Sequence, residues 1–280
     1  MNPINKTLSG LALLALTACG PDNPASPESA AAPDPAPAAV APAETAPAPT
    51  PAAWDAAELA AALAAADRSE AEIARDADRK PAEVLAFAEV APGMTVMDVM
   101  AASGWYTEVL AVAVGPEGTV YAENPRWLLE AMGGAPDKAL TKRLEGERLP
   151  NVERKDAGLE EAAVPADSVD VALTALNFHD TVDRAGEEAG VQQLRQVYAA
   201  LKPGGVLILI DHSGSPDNDN KKLHRMEESD LKALVEQTDF IMEAEGGMLR
   251  NPDDDMSAMV FGKDIRGKTD RFVWKLRKPA

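Results

Sequence analysis

The sequence predicts an α/β fold, an open doubly wound sheet with right-handed crossovers, preceded by N-terminal helices. Three observations carry that expectation. Short runs of Val, Ile, Leu and Met alternate with segments of helical period over about 190 residues. Gly- and Pro-containing turns separate them. The strand-like runs are apolar at nearly every position rather than at every second one, as strands covered on both faces must be. No internal repeat at a fixed period is present.

Asp55 is placed to cap a helix over 56–66, and Ser69 another over 70–78, since each side chain offers an acceptor to the free N–H groups of a first turn. Pro81 suits the first turn of a third helix, 81–88, with Val84, Leu85 and Ala88 on one face. After the Ala91-Pro92-Gly93 turn, residues 94–100 read as a buried parallel strand. A helix follows from Gly104, with Tyr106, Val109, Leu110, Ala113 and Val114 at helical spacing. Gly115-Pro116-Glu117-Gly118 ends it, and Thr119 to Ala122 makes a second strand. A helical stretch over 125–145 is interrupted by Gly133-Gly134-Ala135-Pro136, and strands are expected at 151–155 and 169–175. Residues 187–201 form a helix with Leu194, Val197, Tyr198 and Leu201 on its apolar stripe. Lys202-Pro203-Gly204-Gly205 then turns into the most apolar strand, 206–211. A last helix covers 223–237, with strands near 239–246 and 271–277.

The first 52 residues are of another kind. Lys6 and the apolar run Leu8 to Ala18 have the length of a secretion signal and are too short to span a bilayer. The run ends Leu16-Thr17-Ala18-Cys19, which resembles the bacterial lipobox; Cys19 is the only cysteine of the chain. Acylation there, with several chains on one residue, implies stable anchoring in the bacterial envelope. Gly20 rather than Asp after the cysteine favours the outer membrane, facing the periplasm. Residues 20–52 hold 10 Pro and 12 Ala, a composition for a semi-extended tether that buries no core. The expected organisation is therefore a signal at 1–18, an acylated cysteine and linker at 19–52, and one domain at 53–280.

The formal charge is −19. So acidic a surface repels phosphate backbones, and nucleic acid is not an expected partner. One cysteine excludes a disulfide framework and a Cys-rich metal site. An apolar content of 46% excludes wholesale disorder.

The segment from Pro92 to Asn124 (PGMTVMDVMAASGWYTEVLAVAVGPEGTVYAEN) resembles the opening of a class I S-adenosylmethionine-dependent methyltransferase. LRQVYAALKPGGVLILIDH, from Leu194 to His212, strengthens the resemblance, because LKPGG before an apolar strand is frequent in that superfamily. Within it, Arg79 to Phe87, Asn177-Phe178-His179-Asp180 and Arg266 to Phe272 are similar to a group of predicted bacterial methyltransferases. The resemblance covers residues 68–278. It implies a Rossmann-like sheet, mostly parallel with an antiparallel C-terminal strand, S-adenosylmethionine as cofactor, and a small-molecule acceptor.

In such a sheet the ligand lies beyond the carboxyl ends of the strands, where a Gly-rich turn lets backbone approach the cofactor and a helix N-terminus points N–H groups at its carboxylate. The family pattern is an acidic residue followed by three glycines at alternate positions; here it reads Asp98, Met100, Ala102 and Gly104. Ala101, Ala102 and Ser103 are small, so the loop stays tight if neither replaced position needs a positive φ. By resemblance, Asp98 binds the cofactor's amino group through the loop and Glu123, ending the second strand, accepts from both ribose hydroxyls. Asp156 follows the third strand, where an Asp accepts from the adenine amino group. Asn177, Phe178, His179 and Asp180 follow the fourth strand and face the substrate. Phe178 can wall the methyl site, and His179, with Asp180, can take a proton from the acceptor. His224-Arg225 and Arg250 to Asp254 also match the narrower group and would line a substrate pocket. His179, Asp180, Asp211 and His212 share one sheet edge, but no spacing motif of the HExxH kind supports a metal and none is expected. The eroded glycines and a location away from cytoplasmic cofactor leave one alternative: a non-catalytic binding or scaffold module on the same fold.

Overall fold

In the computed structural model the chain is described over residues 52–161 and 164–280; the signal, Cys19 and the linker up to residue 51 lie outside these. Four helices come first, α1 (Ala56–Ala65), α2 (Glu70–Ile73), α3 (Asp76–Arg79) and α4 (Pro81–Phe87). The alternating part then runs β1 (Thr95–Val99), α5 (Trp105–Val114), β2 (Thr119–Glu123), α6 (Arg126–Leu144), β3 (Val152–Lys155), β4 (Val169–Ala175), α7 (Phe178–Ala185), α8 (Glu187–Ala200), β5 (Leu201–His212), α9 (Asn220–Leu223), α10 (Glu228–Val235), β6 (Ile241–Gly246) and β7 (Arg271–Arg277). The expected caps are in place: Asp55 accepts from the N–H groups of Ala57 and Glu58, and Ser69 from that of Glu72.

The strands form one sheet in the order β3-β2-β1-β4-β5-β7-β6. β1 to β5 pair in parallel, whereas β7 lies between β5 and β6 and runs antiparallel to both. The sheet is therefore doubly wound and mostly parallel, as expected. Because side chains alternate along a strand, the apolar runs feed two cores. Val96, Val171, Leu173, Ile208 and Ile210 pack under α1, α4 and α5. Met97, Ala172, Leu207, Leu209 and Trp274 pack on the other face under α8 and α10. Each such side chain contributes about 1.5–3 kcal/mol by leaving water, and both faces must be filled for the sheet to hold its strand ends in place.

Three expectations are corrected. The helix over 70–78 is two short ones, because Ala74 and Arg75 close the first before α3 begins. The expected interruption of 125–145 is present: Met132, Gly133 and Gly134 all have positive φ, and Pro136 stands in the first turn of a second helical piece. The Lys202–Gly205 turn lies inside β5, as a bulge. Leu201 pairs with Val169 and Val206 with Val171, so the extra residues loop out of register. The last helix covers Glu228–Val235 only, since His224, at φ 55°, ends the short α9 before it.

Candidate functional site at the carboxyl edge of the sheet

The loop after β1 keeps a left-handed backbone where the family pattern has glycine. Met100 has φ 55°, Ala102 φ 51° and Gly104 φ 77°. The expectation that neither replaced position needs a positive φ is thus overturned. Gly104 is doubly constrained, because a Cβ there would lie 2.6 Å from Leu140 Cδ1. Long-range hydrogen bonds hold the other two. The N–H of Met100 donates to Glu123 Oε2 at 3.1 Å, that of Ala101 to the Glu123 carbonyl at 2.9 Å, and that of Ala102 to Asn124 Oδ1 at 2.6 Å. From the other side Asn177 Nδ2 donates to the Met100 carbonyl at 2.8 Å, and Arg143 Nε to the Ser103 carbonyl at 2.9 Å.

Asp98 and Glu123 lie beneath and beside this loop, both buried. Asp98 accepts from Thr107 Oγ1 at 2.6 Å and so caps the start of α5 from below. Burial pushes its carboxyl up to about 7 against that hydrogen bond. Burial likewise pushes Glu123, 1% exposed, up to about 8, opposed by the Met100 N–H and reinforced by Asp98. Ala101, Ala102 and Ser103 stay half-buried at the loop's outer face, whereas the Met100 side chain is inserted into the core beside Thr181 and Gln193. Asp156 is exposed and paired with Arg154, which also holds Asp137.

Beyond β4, Leu176 is again left-handed, at φ 63°, and Asn177 begins α7 with its Oδ1 accepting from Thr174 Oγ1. The structure turns Phe178 inward, 1% exposed, into the core under α8, so it walls no methyl site. His179 is 2% exposed. Its Nδ1 lies 2.8 Å from Asp211 Oδ1, and its backbone N–H donates to Asp211 Oδ2 at 2.9 Å. Burial pushes the ring's pKa down, but Asp211, helped by Asp180 and Asp183, outweighs it and lifts it to about 9. The Asp211 carboxylate thus raises the basicity of the ring, whose Nε2 lies beside Asp180. Asp211 takes the adjacent N–H of His212 as well. His212 points away to Thr269 Oγ1 at 2.7 Å, and burial drives it down to about 3.

The expected grouping of His179, Asp180, Asp211 and His212 is therefore divided. His179 and Asp180 meet His224 instead, with Asp180 Oδ1 at 3.4 Å from both His179 Nε2 and His224 Nδ1. Arg225, the next residue, is fully buried and holds Asp254 with two guanidinium nitrogens, while Arg250 pairs with Glu228 and Asp270. Asn124 and Asp183 were not singled out by the sequence. Asn124 directly follows the acidic residue at a strand end, and Asp183 lies one turn after His179 on α7, which is the signal each carried.

No protein-family model and no curated protein matches the chain. Solved structures do match. The chain is similar to a SAM-dependent methyltransferase from Aquifex aeolicus at 19% identity, over 80% of this chain and 99% of that one, with a TM-score of 0.52. It is similar to a candidate sarcosine dimethylglycine methyltransferase from Galdieria sulphuraria at 13% identity, over 78% and 96%, TM-score 0.52. A candidate methyltransferase from Bacillus halodurans matches at 17% identity, over 72% and 100%, TM-score 0.51. The chain has the class I methyltransferase fold.

Proposed function

We propose that the chain binds S-adenosylmethionine beyond β1 and β2 and transfers its methyl group to a small-molecule acceptor beyond β4. The observation that carries this reading is the backbone of residues 100–104, left-handed at all three alternate positions although two of them are Met and Ala. Each such residue costs on the order of 1–3 kcal/mol, and strain of that kind persists where ligand sites require the conformation. The likeness to solved methyltransferases supports the same cofactor.

The parts divide as follows. The α5 N-terminus, opened by Gly104, faces the cofactor's carboxylate. Glu123 accepts from the ribose hydroxyls as a carboxylate, so affinity rises with pH through about 8, where the buried group gives up its proton. In the transfer the acceptor's lone pair forms a bond to the methyl carbon while the carbon–sulfur bond breaks. Its electron pair stays on sulfur, leaving a neutral thioether. Catalysis rests mainly on in-line positioning. The acceptor's proton leaves toward the half-exposed Asp180 beside His179. The proposal also includes a lipid anchor at Cys19 in the bacterial envelope, supported by the lipobox-like run. Cys19→Ser should move the protein from the membrane fraction to the soluble one, and unchanged fractionation removes the anchor from the proposal.

The alternative, a non-catalytic envelope module, draws on one observation: Glu123 and Asn124 already accept hydrogen bonds from the loop's own N–H groups. Calorimetric titration of the full chain with S-adenosylmethionine and with its demethylated product separates the two. Micromolar binding of both, weakened at least about tenfold (~1.4 kcal/mol) by Glu123→Ala, is the expected result. No binding by folded protein up to millimolar ligand overturns it in favour of the module.

A further inference from the structure

Among the described residues, three buried polar atoms without a hydrogen-bond partner belong to one side-chain cluster: His179 Nε2, His224 Nδ1 and Asp183 Oδ2. Such atoms are rare because each forfeits its hydration with nothing in exchange. Asp180 stands between the two histidines, and one ligand atom from each of His179, Asp180 and His224 lies within 4.8 Å of the others. Two of the three edges, both ending on Asp180 Oδ1, are 3.4 Å. A four-coordinate ion with bonds of about 2.0–2.1 Å separates its ligand atoms by about 3.4 Å. The third edge, between the two imidazoles, is within 4.8 Å, and the His224 ring is 37% exposed.

We propose that His179 Nε2, His224 Nδ1 and Asp180 Oδ1 bind a divalent transition-metal ion of the zinc class. Two imidazoles and a carboxylate suit such ions better than magnesium or calcium, which take oxygen. The surroundings are those of a ligand set. His179 is held from behind by Asp211 through Nδ1, the arrangement that fixes a metal-binding imidazole's tautomer and orientation. With the ion in place Nδ1–H donates to Asp211 and the Nε2 lone pair faces the metal. His224 is set by the left-handed end of α9 and packs against Phe261, ring centroids 4.9 Å apart. Asp183, four residues after His179 on α7, is on the same face and adds a carboxylate beside the cluster. Three protein ligands with a solvent-facing side is the composition of a reactive zinc site rather than a closed structural one. The site lies at the strand edge where the proposed acceptor would stand. Resting on the methyl-transfer reading, the ion would lower the pKa of an acceptor hydroxyl or thiol and orient it toward the methyl carbon.

The test needs neither cofactor nor acceptor, so its failure is distinct from failure of the methyl-transfer reading. The untagged full chain is stripped with a chelator and titrated with Zn²⁺ against a chromophoric competitor. The expected result is one ion per chain. Affinity should fall by more than about 100-fold in both His224→Ala and Asp180→Asn, and by about 10–100-fold in Asp211→Asn. Co²⁺ in place of Zn²⁺ should give visible d–d absorption with the parent chain and none with His224→Ala. His224 and Asp180 are half-exposed, so these two variants keep the fold and carry the test even if Asp211→Asn unfolds. No stoichiometric uptake, or uptake unchanged in both ligand variants, overturns the proposal.

Discussion

Around the loop after β1, the N–H groups of Met100, Ala101, Ala102 and Gly104 and the carbonyls of Met100 and Ser103 all have protein partners. Around α7 and the end of α9, by contrast, two imidazole nitrogens and a carboxylate oxygen are buried with none. In the first region the backbone groups are satisfied by the chain itself and the backbone is strained, with Asn124 Nδ2 its one unpartnered buried atom at the loop. In the second, Leu176 and His224 are left-handed as well, and three side-chain atoms of one cluster are left unsatisfied, which is what a site completed by something else looks like. One carboxyl edge can thus hold a preassembled cradle and an incomplete ligand set beyond neighbouring strands.

The largest effect expected from breaking this comparison lies behind the second region. Asp254 and Arg225 are both buried, and Arg225 follows His224 directly. Asp254→Ala leaves a buried guanidinium unpaired and should lower unfolding free energy by about 3–5 kcal/mol in denaturant titration. A loss under about 1 kcal/mol would mean that the loop reorganises and that His224 is not rigidly placed. The next effect belongs to the first region and depends on pH. Folded Glu123 holds its proton up to about pH 8, whereas the unfolded group releases it near the ordinary carboxylate value. Its contribution is therefore complete at low pH and lost as pH rises through about 8. Glu123→Gln removes that loss, so the variant should gain stability relative to the parent as pH rises from about 4.5 to about 8 in thermal melts. A constant difference across that range would show the carboxyl already ionised. The smallest effect tests the strain itself. Ala102→Gly relieves a left-handed alanine and should stabilise the fold by about 1 kcal/mol, read from the denaturation midpoint. Unchanged or lowered stability would mean that Ala102 sits there without strain.

Much of the fold was legible because its signals are local. Asp55 and Ser69 cap where short polar acceptors precede apolar runs, and the Gly–Pro turns separate the elements. The continuous apolarity of Val206 to Ile210 reflects a strand buried on both faces. α7 escaped because it is only eight residues long and largely polar, with Phe178 and Val182 alone marking its apolar face. The site was legible as a list of residues at strand ends but not as a geometry. Phe178 turned out to be core, a fact set by neighbours distant in sequence, and Asp156 to be engaged by Arg154, which also reaches back to Asp137.

By itself, then, the sequence determined the order of elements, the two-faced burial of the sheet and the acidic residues closing β1 and β2, all through spacing and turn chemistry. Tertiary structure alone decided that Met100 and Ala102 take a backbone their side chains disfavour, because Glu123, Asn124 and Asn177 reach them only across neighbouring strands. It also decided that His179 meets His224 rather than His212. Alternation along β5 and its Asp211 carboxylate turn one histidine toward α9 and the other toward Thr269, and no local pattern encodes that choice.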